Sequence, residues 1–179
     1  MKNLLQIIKT SFLAAPFTLF IQHVKAAENP KVGDTAPTAT LSDDNGKPLN
    51  LEKTFKQGTT LLFFYPKANT GGWTVQACSL RDSIKALKEK NVQVIGISMD
   101  KVEDQKKFKD KNQLPFPLLS DTDGVLVKAY GVKKFTPKIC ARESFIIENG
   151  KLVWIDRKAS PKSHTSKVLD AVDKLKSDN

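Results

Sequence analysis

Thiol and imidazole side chains, the soft nucleophiles and metal ligands, are few in this 179-residue chain. There are two cysteines, Cys78 and Cys140, and two histidines, His23 and His164. No Cys-x-x-Cys pair occurs, which argues against dithiol exchange and zinc ribbons, and the histidines form no metal-ligating cluster. A cysteine reacts as its thiolate, and at neutral pH that form needs a favourable field, such as a helix N-terminus or an arginine. Two places in the chain offer one. Phe63 to Cys78 runs from an apolar strand through a Pro/Asn/Gly loop into a helix, whose unpaired N–H groups suit an anion. Arg142 follows Cys140 by two residues, so in an extended segment both side chains point to one face.

The elements that must position these groups follow from the pattern. Thr59 to Tyr65 is a continuous apolar run between Gly58 and Pro66 and reads as a strand buried on both faces. Trp73 to about Lys90 reads as one helix, with Ala77, Leu80, Ile84 and Leu87 forming its inward stripe. Asn91 to Ser98 is a second buried strand. Asp100 to Lys111 is a charged helix with Val102 and Phe108 inward. Leu114 to Ser120 is a short apolar segment, and Val125 to Tyr130 a short helix ended by Gly131. Two hairpins are expected at Asn-Gly turns, one around Asp44-Asn45-Gly46 and one around Asn149-Gly150. A last helix starts near Ser163, capped by Ser160 or Ser163, with Val168, Leu169, Val172 and Leu175 inward. Tyr130 and Trp154 read as core, and His164 as a capping or surface residue.

Residues 1–26 carry Lys2 and Lys9, then the apolar run Ser11–Ile21, then Val24-Lys25-Ala26 with small residues at the offsets of a signal-peptidase cut. The run falls short of the ~20 apolar residues that span a bilayer. The expectation is a cleavable leader cut near Ala26 and a periplasmic or secreted domain over 27–179, with an uncleaved interfacial anchor or a tail as the other reading. The formal charge is +10, and removing Lys2, Lys9 and Lys25 with no acid leaves +7. The lysines are scattered and few aromatics interleave with them, so a solvated basic surface is favoured over a nucleic-acid site.

The segment Pro66-Lys67-Ala68-Asn69-Thr70-Gly71-Gly72-Trp73 resembles the active-site loop of the peroxiredoxins, in the peroxiredoxin Q (bacterioferritin comigratory protein) group. That signature is Pro, three residues, Thr, two residues, Cys. Pro66 and Thr70 match it, and Trp73 stands where the family has its peroxidatic cysteine. Val32-Gly33-Asp34-Thr35-Ala36-Pro37 resembles the family's opening, and the likeness extends over about residues 31–175.

The resemblance implies an α/β thioredoxin-like fold of the peroxiredoxin type, with a mixed central sheet and helices on both faces. It implies thiol-dependent reduction of hydrogen peroxide and organic hydroperoxides, a thioredoxin-like reductant, no cofactor or metal, and a monomer or homodimer. Thr70 and Arg142 take the family's catalytic positions, and Cys78 takes the resolving-cysteine position of many members. Trp73 cannot ionise or form a sulfenic acid, and its indole only donates. Gly71 replaces the family's proline and gives a looser lead-in to the helix. Cys78 lies ~7.5 Å along and ~140° around a helix from Trp73. Three functions stay open: a degenerate peroxiredoxin, an active peroxidase using Cys78 or Cys140, and a binding or assembly protein presenting Trp73. Cys140 is also a candidate to pair with Cys78. Thr70 is alternatively a helix cap.

Overall fold

The computed structural model describes residues 29–68, 71–161 and 163–177. The expected leader lies outside the described residues. Among the described residues, nine strands and six helices follow one another as β1 (Thr40–Ser42), β2 (Pro48–Asn50), α1 (Leu51–Phe55), β3 (Thr59–Phe64), α2 (Gly71–Asp82), α3 (Ile84–Glu89), β4 (Val92–Ser98), α4 (Val102–Asn112), β5 (Leu118–Ser120), α5 (Val125–Ala129), β6 (Lys134–Thr136), β7 (Ile139–Cys140), β8 (Glu143–Glu148), β9 (Lys151–Asp156) and α6 (His164–Ser177). Seven strands form one sheet in the order β2-β1-β5-β4-β3-β8-β9, and β6 with β7 forms a separate ribbon. The centre is parallel, β3 on β4 on β5, and β8, β9 and the β1–β2 hairpin add antiparallel edges.

β3 is the axis because both its faces are apolar. Leu62 and Phe64 point into a layer shared with Ile95, Ile97, Phe145 and the residues of α1 and α5. Leu61, Phe63 and Tyr65 point the other way, against Ala77 and Leu80 of α2, Leu87 of α3, Phe108 of α4 and Val168 of α6. Alternation along a strand sends neighbouring residues to opposite faces, so an unbroken apolar run supplies both layers at once.

The two Asn-Gly turns form as expected. Asn149 and Gly150 take φ of 49° and 79°, the left-handed pair that matches hairpin twist. At the other turn Asp44 is buried, and its carboxylate accepts Leu118 N–H and Lys109 Nζ at 2.9 Å each, tying the hairpin to β5 and α4.

Several expectations are corrected. The run expected as one helix to Lys90 is two, α2 and α3, parted at Ser83 (φ −96°, ψ 4°). Asp82 and Ser83 are residue types whose side chains compete with helical backbone bonding. α2 begins at Gly71, so Gly71 and Gly72 belong to the helix's first turn and are not its lead-in. α1 and the β6–β7 ribbon have too few residues to show a period, and neither was expected. Tyr130 is core, whereas Trp154 is only partly buried, on the edge strand β9.

Candidate active site

The site lies at the C-terminal end of β3, where the chain turns into α2. Neighbouring elements fix the approach to that turn. Tyr65 N–H donates to Ile97 O at 3.0 Å, continuing the β3–β4 pairing one residue beyond the strand. Its phenol donates to Gln105 Oε1. Gln105 Nε2 in turn donates to Ser98 Oγ and to Leu119 O, each at 2.9 Å. Ser98 Oγ–H donates to Asp100 Oδ2 at 2.7 Å, and the same oxygen accepts Ala68 N–H at 2.7 Å. Ser120 Oγ–H holds the Asp100 carbonyl at 2.7 Å. A buried polar chain thus runs from the phenol of Tyr65 to the amide of Ala68 and fixes both ends of the turn's first half. Burial pushes the Tyr65 phenol far above its usual pKa, so it remains a donor.

Asp100, Ser98 and Gln105 were not anticipated from the sequence. A signal existed for Gln105. It lies midway between Val102 and Phe108 at helical spacing, so the inward stripe of α4 passes through it. Asp100 sits just past the end of β4, next to the crevice where parallel sheets place their sites.

Thr70 lies outside the described residues. Trp73 is the third residue of α2, in the turn where the unpaired N–H groups point outward, and its side chain lies outside the described part. Cys78 is in the same unbroken helix, half-buried, with Sγ 3.9 Å from Asn112 Oδ1. Arg81, one turn on, donates to Asn112 O at 3.0 Å.

Cys140 departs from expectation. It is fully buried in the layer formed with α1 and α5, and its thiol donates to Tyr65 O at 3.2 Å. Burial pushes its pKa up to about 12, so it stays a thiol. The expected shared face with Arg142 does not hold. β7 ends at Cys140 and β8 starts at Glu143, so no continuous strand carries the two-residue period between them. The candidate Cys78–Cys140 pair is not formed in this structure. Both thiols are free, and α2 packs on the opposite side of the sheet from Cys140.

Arg142 enters β8 half-buried, and its buried Nε has no hydrogen-bond partner among the described residues. Burial lowers its pKa. Glu143 beside it is engaged elsewhere. It accepts Arg157 Nη1 at 2.6 Å, while Arg157 also donates to Tyr130 O and Pro30 O and stacks 5.0 Å from the Phe145 ring centroid.

His164 is corrected from a surface residue to a core one. It is fully buried, with Nε2 2.7 Å from Ser144 Oγ and its ring against Phe63. Among the described residues its Nδ1 has no hydrogen-bond partner, and neither do the side-chain amide atoms of buried Gln76 on α2. Burial lowers the His164 pKa to about 4. One turn from Gln76, Ser79 and Thr165 share a 2.8 Å hydroxyl contact that joins α2 to α6.

A mixed seven-stranded sheet with helices on both faces, and a polar-braced turn from its central strand into a helix, defines a thioredoxin-like fold of the peroxiredoxin type. The AhpC/TSA family profile matches residues 32–155, and the chain belongs to that family. It is 41% identical over 147 residues to the Escherichia coli protein peroxiredoxin Bcp, covering 78% of this chain and 94% of that one. It is 35% identical over 147 residues to chloroplastic peroxiredoxin Q of Sedum lineare, covering 80% and 78%. Among solved structures, peroxidoxin BcpB of Mycobacterium tuberculosis superposes with a TM-score of 0.75 at 33% identity, covering 81% of this chain and 97% of that one.

Proposed function

We propose that this chain is an exported member of the peroxiredoxin family in which thiol peroxidase chemistry has been lost or nearly lost. The observation that carries the reading is Trp73 in the first turn of α2, at the family's nucleophile position. Peroxide reduction needs a thiolate that attacks one peroxide oxygen. The O–O bond breaks, the far oxygen leaves as water or alcohol after taking a proton, and the sulfur becomes a sulfenic acid. Indole offers no such lone pair and no such product. Neither remaining thiol substitutes readily. Cys140 is buried and held as a thiol by burial, and Cys78 lies within a continuous helix, beyond its first turn.

The rest of the site supports a peroxiredoxin ancestry. Arg142 keeps the family's place, with a buried Nε that no described side chain satisfies. Export rests on the leader pattern of residues 1–26 alone.

The test is hydrogen peroxide and organic hydroperoxide consumption by residues 27–179 with a dithiol reductant, beside the Trp73→Cys variant. The expected parent rate is that of buffer, and the variant rate rises at least a hundredfold, in the range one nucleophile contributes. A parent well above buffer, abolished by Cys78→Ser, refutes the reading and assigns the reaction to Cys78. Two silent proteins mean that the pocket has diverged as well as the nucleophile.

A further inference from the structure

The ribbon β6–β7 has no role in the site above, and its surface is unusual for this molecule. Phe135 in the middle of β6 is 61% exposed, the most exposed large apolar residue among those described. Lys133, Lys134 and Lys138 surround it, all exposed, with Lys133 Nζ 5.8 Å from the Phe135 ring centroid. Lys138 Nζ donates to Thr122 O at 2.9 Å and so brings the ribbon against the start of α5. There Lys128 adds a fourth exposed amine, and Val125, 42% exposed, a second apolar group. None of these four lysines forms an ion pair among the described residues.

The nearby acids do not neutralise them. Glu143 is committed to Arg157 and to Lys133 N–H. Asp121 is buried and accepts the amides of Val125, Leu126 and Val127. Asp123 is the one exposed acid that lines the shallow groove between α5 and β6, beside Lys128 and Lys134.

The first described residues, Asn29 and Pro30, also lie beside this face. Asn29 lines the same groove. It packs so closely on Gly131 that a Cβ there would overlap the Asn29 side chain and lie 3.1 Å from its backbone. Arg157 pins the next residue by donating to Pro30 O at 3.1 Å.

We propose that the β6–β7 ribbon and the start of α5 form a docking face for an anionic phospholipid surface. The lysines meet headgroups, and Phe135 inserts at the acyl boundary. A single aromatic among four lysines suits a bilayer interface better than a strand of nucleic acid, which needs successive stacking platforms. Each lysine close to an anionic surface strengthens binding, and salt weakens it. This assignment does not depend on whether peroxidase activity remains.

The experiment is co-sedimentation of residues 27–179, which contain every described element, with vesicles of equal parts phosphatidylglycerol and phosphatidylcholine, and with phosphatidylcholine alone. The expected result is binding to the mixed vesicles only, reduced by salt. Lys133→Glu combined with Lys134→Glu should weaken it about tenfold or more, and Phe135→Ser should weaken it severalfold at unchanged charge. These positions are exposed, so an unchanged circular dichroism spectrum and melting temperature confirm that the fold is kept. Absence of binding at low salt, or variants that bind as the parent does, overturns the proposal. So does equal binding to single-stranded DNA that Phe135→Ser leaves intact, which would make the face a general polyanion surface.

Discussion

At the scale of single residues, the two thiols differ in kind. Cys140 donates to the carbonyl of Tyr65 inside a closed layer, while Cys78 is half-buried on a helix face. Alkylation of the native protein with iodoacetamide should therefore modify one cysteine quickly and leave Cys140 protected until the fold opens. Peptide mass mapping gives the site, and equal rates at both would contradict the buried hydrogen bond. His164 makes a second prediction. Its pKa is lowered from 6.5 to about 4, so the fold binds fewer protons than the unfolded chain between those values. Its stabilising contribution is complete above pH 6.5 and is lost as the pH falls towards 4, by about 3 kcal/mol over the window. Asp121 acts in the opposite sense. Burial raises its pKa from 3.8 to about 6, so its protonation favours the fold as the pH falls. The readout is thus the difference between parent and His164→Gln in urea midpoint from pH 7 to pH 4. The variant should show the flatter fall on acidification, and parallel profiles would reject the burial-based cause.

At the scale of elements, the short helix α5 depends on a side chain outside it. Asp121 accepts the N–H groups of Val125, Leu126 and Val127 at 2.8–3.0 Å, which are among the donors a helix start leaves unpaired. A five-residue helix has little stability of its own. Asp121→Ala should cost about 1–2 kcal/mol in equilibrium unfolding. It should also raise hydrogen exchange locally in α5, and unchanged protection there would show that packing alone holds the helix. The polar chain Tyr65–Gln105–Ser98–Asp100 acts similarly on the turn before α2. It fixes Ala68 from β4 and α4, which lie across the sheet's central crevice.

At the scale of the whole molecule, the sheet leaves no room for a side chain at Gly96 on the face that carries α2 and α4. A Cβ at Gly96 would lie 2.8 Å from Leu118 Cδ2 and 2.8 Å from Phe63 Cζ. Gly96→Ala therefore overpacks the layer beneath α2 and α4 and should destabilise the protein by about 1–3 kcal/mol. A midpoint equal to the parent's in urea unfolding would show that Phe63 and Leu118 can yield at no cost. Arg157 works at the same scale. It joins Pro30, Tyr130 and Glu143, so one guanidinium closes the segment at Pro30, the end of α5 and β8 onto one another.

The sequence by itself determined the parts that rest on local chemistry and unbroken patterning. The apolar run Thr59–Tyr65 could only be buried on both faces, Asn-Gly turns specify hairpins, and the loop Pro66–Trp73 carried the resemblance to the family whose profile matches residues 32–155. Only the tertiary structure decided what depends on contacts distant in sequence. His164 looks like a cap when read locally, yet packing against Phe63 and Ser144 makes it a neutral core residue. Cys140 looks paired with Arg142 by strand period, yet the break between β7 and β8 turns it into the layer away from α2. Asp100, Ser98 and Gln105 are ordinary polar residues in the chain and become the brace of the turn between β3 and α2 because β4, β5 and α4 converge there. Spacing sets which neighbours share a face within one element. Which elements meet, and so which polar groups lose water together, is set by packing the sheet's two layers.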